Sequence, residues 1–333
     1  MTGIISSIAL FLLILDSRTA LSGARNGIML CIFTIIPSLF PFFVLSALIN
    51  SSFSGFGKPF KPIRKLCGMP KGSEKLFLLG FLGGYPVGAQ SIYQAYKSGQ
   101  LSGKEAKRLL SFCSNAGPAF IFGMIGCLFS SPLIPWILWA IHIISAILVA
   151  LLLPQESIGR CLISSQSNKL SVSQAAEQGV KITASICGWV IIFRIIFSIL
   201  DRWILWLFPA ELKIMICGFL ELSNGCIELM SIESEGLKFI LSSCFLSFGG
   251  LCVIMQTSAV TKELGIRSYI TGKIMQCSIS LILSSLSQWI LFPPQSKVAI
   301  PYPLICVLIA CISIKIIMNY RKNSSRNLAA IDV

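Results

Sequence analysis

"GFLGGYPVGAQSIYQAYKSG", residues 80–99, starts apolar, breaks into Gly83, Gly84, Tyr85, Pro86 and Gly88, and ends polar. Glycine opens backbone conformations closed to other residues, and proline removes an amide donor and stops a helix. The chain around this break is 55% apolar and 12% charged, with a mean hydropathy of +0.82. Soluble domains carry about 25% charged residues. Long apolar runs recur from end to end, which points to an all-α polytopic membrane protein. A transmembrane barrel would instead show short segments of period-two alternation. Irregular backbone at membrane depth is tolerated where it lines protein or a watery cavity. The break therefore predicts a re-entrant helical hairpin with its tip at a cavity.

Apolar segments fall at 2–15, 27–50, 76–95, 109–130, 133–153, 182–206, 212–231, 238–260, 270–292 and 300–320. A full span needs about 20 residues. The first run, "GIISSIALFLLIL", is short and has no basic residues before it, so it reads as a short span rather than a cleaved signal. Segment 212–231 repeats the character of 76–95, with Glu221 and Glu228 inside it, and reads as a second hairpin.

The basic residues test this topology. With the N-terminus inside and each hairpin returning to its own side, 19 Lys and Arg fall on inner loops and 6 on outer ones. The inner set runs through Lys58–Lys75, Lys97–Arg108, Arg160–Lys181, Lys262, Arg267, Lys273 and the tail. Treating either hairpin as a full span would destroy this bias, which is the one expected of cytoplasmic loops. Both termini are then cytoplasmic. The formal charge of +14 is explained the same way and does not argue for a nucleic-acid partner.

Three pairs of stretches match in the same order. Residues 23–40 resemble 175–192, 80–89 resemble 218–227, and 109–123 resemble 245–259, at offsets of 152, 138 and 136. With the two hairpins entering from opposite sides, this is an inverted repeat, an architecture of secondary transporters. The chain then divides into a short N-terminal span and outer loop (1–26), a first repeat (27–153) and an inner linker (154–181). A second repeat (182–292) and a last span with a basic tail (293–333) follow.

Each repeat would supply a hairpin and a broken helix. At the first hairpin, Gly83, Gly84, Tyr85, Pro86 and Gln90 present backbone and side-chain polar groups. The break "SNAGP" supplies Asn115, Gly117 and Pro118. The second half offers Glu221 and Asn224 at its hairpin and Ser247, Gly249, Gly250 and Gln256 at its break. An ionisable group at membrane depth is costly and usually functional. Glu221 can take a proton or cation, or reach outer water. Arg194 can neutralise an anionic solute, pair with Glu221, or snorkel. The same glycines and prolines also fit helix packing and kinks.

Catalytic, metal and cofactor signatures are missing. The chain has one histidine, His142, no CxxC pair among its 13 cysteines, and no nucleophile-elbow, P-loop or HExxH pattern. No catalytic residue, metal site or cofactor is expected. The expected partners are a small-molecule solute and the lipid bilayer, with a homo-oligomer left open.

"GFLGGYPVGAQ" followed by "LSGKEAKRLLSFCSNAGPAFIFGMIG" resembles the nucleoside-recognition (Gate) domain of YlbJ-like sporulation integral membrane proteins. "GFLELSNG" and "FLSFGGLCVIMQ" look like the partner motifs, and the resemblance covers residues 27–290. Its layout is similar to that of concentrative nucleoside transporters. The resemblance implies a sporulation role and movement of dipicolinic acid, a small planar dicarboxylate, across the outer forespore membrane. A nucleoside or other organic solute is an alternative substrate, and a non-transporting scaffold of a sporulation complex is an alternative role.

Overall fold

The computed structural model describes residues 2–52, 60–154 and 170–292. Among the described residues the chain is helical, without β-strands, and five helices are long and apolar enough to cross a membrane. The predicted last span and the basic tail lie outside the described residues. Large apolar side chains such as Phe11, Ile14, Phe33, Ile192, Trp206 and Ile290 are exposed, as lipid-facing positions would be.

Helices α1 (Thr2–Leu15) and α2 (Ser17–Leu30) meet at Asp16, which caps α2 by accepting from the Thr19 amide. A π-helical turn at Cys31–Ile35 joins α2 to α3 (Ile36–Ser52), which contains Pro41. The apolar helix thus begins at Ser17 rather than at residue 27. Helix α10 (Val172–Trp203) likewise starts ten residues before the segment read from hydropathy, at a Ser171–Gln174 capping box.

The α2–α3 unit and α10 pack antiparallel over their length. A Cβ on Gly23 would meet Ile195 and Ser198, and one on Gly27 would meet Ile191. Further along, one on Gly179 would meet Phe40 and Val44. Small residues let helix backbones approach this closely.

After α4 (Lys61–Leu66) the chain doubles back twice. Helix α5 (Glu74–Leu82) turns at Gly83–Pro86 into α6 (Val87–Lys97), and a Cβ on Gly88 would lie 2.9 Å from the Gly80 Cα. Eight residues of straight helix span about 12 Å, so this contact requires a reversal. Helix α7 (Gly103–Leu110) follows, then an extended break, then α8 (Pro118–Phe120) continued by a π turn and a 3₁₀ turn to Leu128. Helix α9 (Leu133–Leu152) completes the first half.

In the second half, α11 (Ala210–Leu220) and α12 (Leu222–Glu228) reverse at Glu221, with Gly225 against Gly218. Helices α13 (Glu235–Phe248) and α14 (Gly250–Thr261) are separated by Gly249, and α15 (Arg267–Leu291) closes the described fold.

The loops assigned to the inner side gather at one end. The Arg108 guanidinium donates to the carbonyls of Cys67 (2.7 Å), Gly68 (3.1 Å), Ala150 (3.0 Å) and Pro154 (2.9 Å). At the same end Arg64 pairs with Glu74 at 2.6 Å, and Lys97 with Glu263 at 2.7 Å. One assignment is corrected. Lys273 is not a loop residue but a fully buried one in the second turn of α15. Its neighbour Gly272 presses against the Ser111 backbone, where any side chain would collide. That close approach carries the lysine into the protein interior.

Candidate functional site

Four helix interruptions meet at one place. At the first, Gly84 adopts φ +68° and lies so near Gly117 that a Cβ would stand 3.0 Å from its amide nitrogen. The first hairpin tip thereby touches the break of the helix that follows it. The second half repeats the contact. Gly250 has φ +82°, and a Cβ there would meet the Leu220 carbonyl and the Leu222 amide, on either side of Glu221. The halves also touch each other. The Tyr85 hydroxyl donates to the Leu246 carbonyl (3.3 Å), and its ring lies against Gly249, which has φ +82°. Positive φ is inexpensive for glycine alone, which explains the residue type at these turns.

A cavity of about 50 Å³ lies among these breaks, lined by Gly83, Gly84, Tyr85, Gly117, Glu221 and Gln256 and by apolar side chains including Phe43, Phe120 and Val253. Glu221 is buried, and its carboxylate accepts from the amides of Ser223 (2.9 Å) and Asn224 (2.7 Å) and from the Asn224 side chain (2.8 Å). It is thus the N-cap of α12 as well as a cavity wall. Gln256 donates to the Cys252 sulfur at 3.1 Å.

Behind the wall runs a buried polar network. The Ala116 amide, freed by the break, donates to His142 Nε2 (3.1 Å). The ring proton is then on Nδ1, which faces Ser247 Oγ at 3.4 Å. Ser247 bonds Ser280, which reaches Ser145 at 3.1 Å. Lys273 Nζ donates to Asn115 Oδ1 (3.0 Å) and Gln276 Oε1 (2.7 Å), and sits 5.1 Å from the Tyr85 ring centroid. Buried polar groups on broken backbone must be paired in this way.

The predicted site residues divide accordingly. Gly83, Gly84, Tyr85, Gly117, Glu221 and Gln256 line the cavity. Asn115, Asn224, Gly249 and Gly250 contact residues of its wall, and Ser247 belongs to the network around His142. Pro86 caps α6 and Pro118 starts α8. Gln90 is not brought to the cavity. It is exposed, because Gly88, Ala89 and Ile92 form the buried face of α6. Arg194 is also elsewhere, paired with Glu228 at 2.7 Å rather than with Glu221. The pair lines a separate polar opening of about 580 Å³ with Asp201, Arg202 and Lys213. Sequence reading missed Lys273 and His142. The signal available was a lysine seven residues into a hydrophobic helix and a histidine within an apolar run.

The chain is 25% identical over 321 residues to the sporulation integral membrane protein YlbJ of Bacillus subtilis (strain 168), covering 80% of this chain and 77% of the relative. The chain is similar to this sporulation integral membrane protein. The likeness agrees with the resemblance carried by its hairpin and break motifs, and with a protein embedded in the membrane. No family model matches the chain, and no solved structure matches it. Among the described residues no cluster of His, Cys, Asp or Glu is arranged to hold a metal ion.

Proposed function

We propose that this YlbJ-like protein is a secondary transporter of a small organic anion in sporulation, dipicolinic acid being the first candidate. The carrying observation is the convergence of four helix interruptions on one cavity between the halves of the chain. Broken helices at a shared site are how transporters expose backbone to a solute at membrane depth. The sporulation role rests on the likeness to YlbJ, and the substrate on the family resemblance.

The inverted repeat has support of its own. Gly27 and Gly179 are separated by 152 residues, the offset of the first matched pair. Gly27 packs on Ile191 of α10, and Gly179 packs on Phe40 of α3. Residue i thus meets j while its counterpart meets nearly the counterpart of j, as a two-fold axis requires. The hairpins add a second pair, Gly80 with Gly88 and Gly218 with Gly225. In this reading the two halves rock about the cavity to alternate access, in a Gate-type fold placed in the forespore membrane with both termini cytoplasmic. The protein performs no chemical reaction on its solute.

A neutral solute such as a nucleoside is the second reading. It is favoured by a cavity wall that carries Tyr85, Glu221 and Gln256 but no cation. Uptake of labelled dipicolinate into proteoliposomes, with uridine as comparison, decides between them. Saturable dipicolinate uptake, not competed by uridine, supports the anion carrier. Uridine uptake moves the reading to the neutral solute. Uptake of neither by correctly inserted protein favours the scaffold.

A further inference from the structure

We propose that Lys273 is a concealed cationic subsite that receives a carboxylate of the transported solute when the Tyr85 hairpin tip withdraws. The inference rests on the transporter reading and assigns a residue to its substrate chemistry.

Lys273 is fully buried, and among the described residues no carboxylate lies within ion-pair distance of it. Each described Asp or Glu that is paired serves another cation. An ammonium removed from water at membrane depth is expensive unless paired. What surrounds it is accommodating but neutral: the amide oxygens of Asn115 and Gln276, and the ring faces of Tyr85 and Tyr269 at 5.1 and 5.7 Å. Carbonyl oxygens and ring faces both favour a cation. A site that needed only to hold the helices together would be served at lower cost by an apolar side chain.

The position is as telling as the environment. Asn115 belongs to the first helix break and Tyr85 to the first hairpin tip, so Lys273 touches the two irregular elements of the first half. Tyr85 itself lines the cavity. Tyr85 therefore adjoins both the ammonium and the space the solute would enter. The Tyr85 hydroxyl is tied to the second half through the Leu246 carbonyl at 3.3 Å. Turning Tyr85 away would open Lys273 to the cavity. A carboxylate could then replace neutral amide oxygens with a charge-assisted pair. Glu221, which also lines the cavity, already accepts from its own helix amides and offers the same group no donor. Lys273 would draw the charge of a small carboxylate toward α15.

The test is thermal melting of the purified full chain in detergent at fixed ionic strength. The probes are pyridine-2,6-dicarboxylate, pyridine-2-carboxylate and the neutral pyridine-2,6-dicarboxamide. Both carboxylates should stabilise the protein in a saturable way, and the diamide should not. Lys273→Gln should weaken half-saturation at least about tenfold, the size expected for one lost charged hydrogen bond, while the surface variant Lys97→Gln should not. Asn115→Asp provides a second test that keeps the lysine. A resident carboxylate would occupy Lys273, so this variant should melt higher without ligand and lose the ligand response.

Equal half-saturation in wild type, Lys273→Gln and Asn115→Asp would overturn the subsite. So would equal stabilisation by the diamide, or no stabilisation of the wild type by any carboxylate. Uptake into proteoliposomes separates this from the transport reading. Uptake unchanged by Lys273→Gln removes the subsite and keeps the transporter. Carboxylate binding that needs Lys273, without uptake, keeps the subsite and removes the transporter.

Discussion

Gly27 and Gly179 lie 152 residues apart on the same antiparallel contact between α10 and the α2–α3 unit, but their neighbours differ in how far they can yield. A Cβ on Gly27 would stand 2.9 Å from the Ile191 Cα, which is backbone. A Cβ on Gly179 would stand 2.9 Å from a methyl of Val44 and 3.3 Å from the Phe40 ring, both side chains rather than backbone. Gly27→Ala should therefore cost about 1–3 kcal/mol through forced separation of the helices. Gly179→Ala should cost less than about 1 kcal/mol, offset in part by the higher helix propensity of alanine. Melting temperatures of the two variants check the order, and a larger loss for Gly179→Ala would contradict it.

The hairpin crossings predict a sharper contrast. Gly80 packs directly on the Cys113 carbonyl and Gly225 on the Gly218 backbone, with no room for a methyl group. Gly80→Ala and Gly225→Ala should each destabilise by more than about 3 kcal/mol or prevent insertion of folded protein. Gly99 has φ +72° but open space around it. Gly99→Ala should cost only the left-handed strain of a non-glycine residue, about 1 kcal/mol. Yield and melting of detergent-solubilised protein distinguish the two classes, and folded Gly80→Ala with wild-type stability would contradict the crossing.

The breaks were legible because glycine and proline act locally. Gly83, Gly84 and Pro86 fall together and interrupt the helix, as do Gly117–Pro118 and Gly249–Gly250, whereas the lone Pro41 and Gly27 do not. Gly84, Gly117 and Glu221, from three of these interruptions, line one cavity. Helix starts were less legible, since polar residues on one face lower the hydropathy of a buried helix. Helix α2 contributes Thr19 and Asn26 to a polar opening, and its polar first turn hid the helix start at Ser17. Lys273 was misplaced for a related reason, although it falls inside the apolar segment 270–292. It lies beyond a turn at Gly265, in the polar run "RSYITGK", and looks like a loop lysine until Gly272 is seen against Ser111. The Arg194–Glu228 pair required knowing that α12 ends beside α10, which no local pattern states.

Tyr85→Phe should loosen the contact between the halves without altering the cavity wall. It removes the hydroxyl bond to Leu246 and leaves a buried carbonyl with less satisfaction. The expected cost is about 1 kcal/mol. Amide exchange at residues 245–250, followed by mass spectrometry, should quicken in the variant relative to the outer ends of α13 and α14. Uniform exchange across both proteins would show that this bond does not hold the halves together.

Asp16 predicts a pH dependence at the other end of the molecule. Its carboxylate accepts from the Trp203 indole N–H at 2.9 Å and pairs with Arg202 at 3.2 Å, fastening the α1–α2 turn to the end of α10. The Trp203 and Thr19 bonds hold the carboxyl below the usual aspartate value, with Arg202 adding to the effect. A depressed folded pKa stabilises fully above the unfolded value of about 3.9, and the gain is lost as pH falls through the folded value. Asp16→Asn should melt lower than wild type at pH 7 and pH 5 by a similar margin. The gap should close below about pH 4. A gap that persists into strong acid would assign the defect of the Asp16→Asn variant to packing rather than to charge.

Arg194 was the residue expected to meet an anion, and its geometry now predicts the opposite. Its guanidinium is committed to Glu228 at 2.7 Å and to the face of Phe197, in an opening separate from the cavity among the breaks. The pair is partly exposed, so its coupling should be modest, about 1 kcal/mol in a cycle of Arg194→Gln, Glu228→Gln and the double variant. The double variant should be nearer wild type in stability than the sum of the singles, because neither charge is left alone. If solute is recognised at the breaks, the double variant should also keep the half-saturation for dipicolinate uptake within about twofold, since remote neutral pairs add little to binding. A tenfold loss confined to affinity would return Arg194 to the binding path and make the polar opening, not the cavity, the first place where the solute docks.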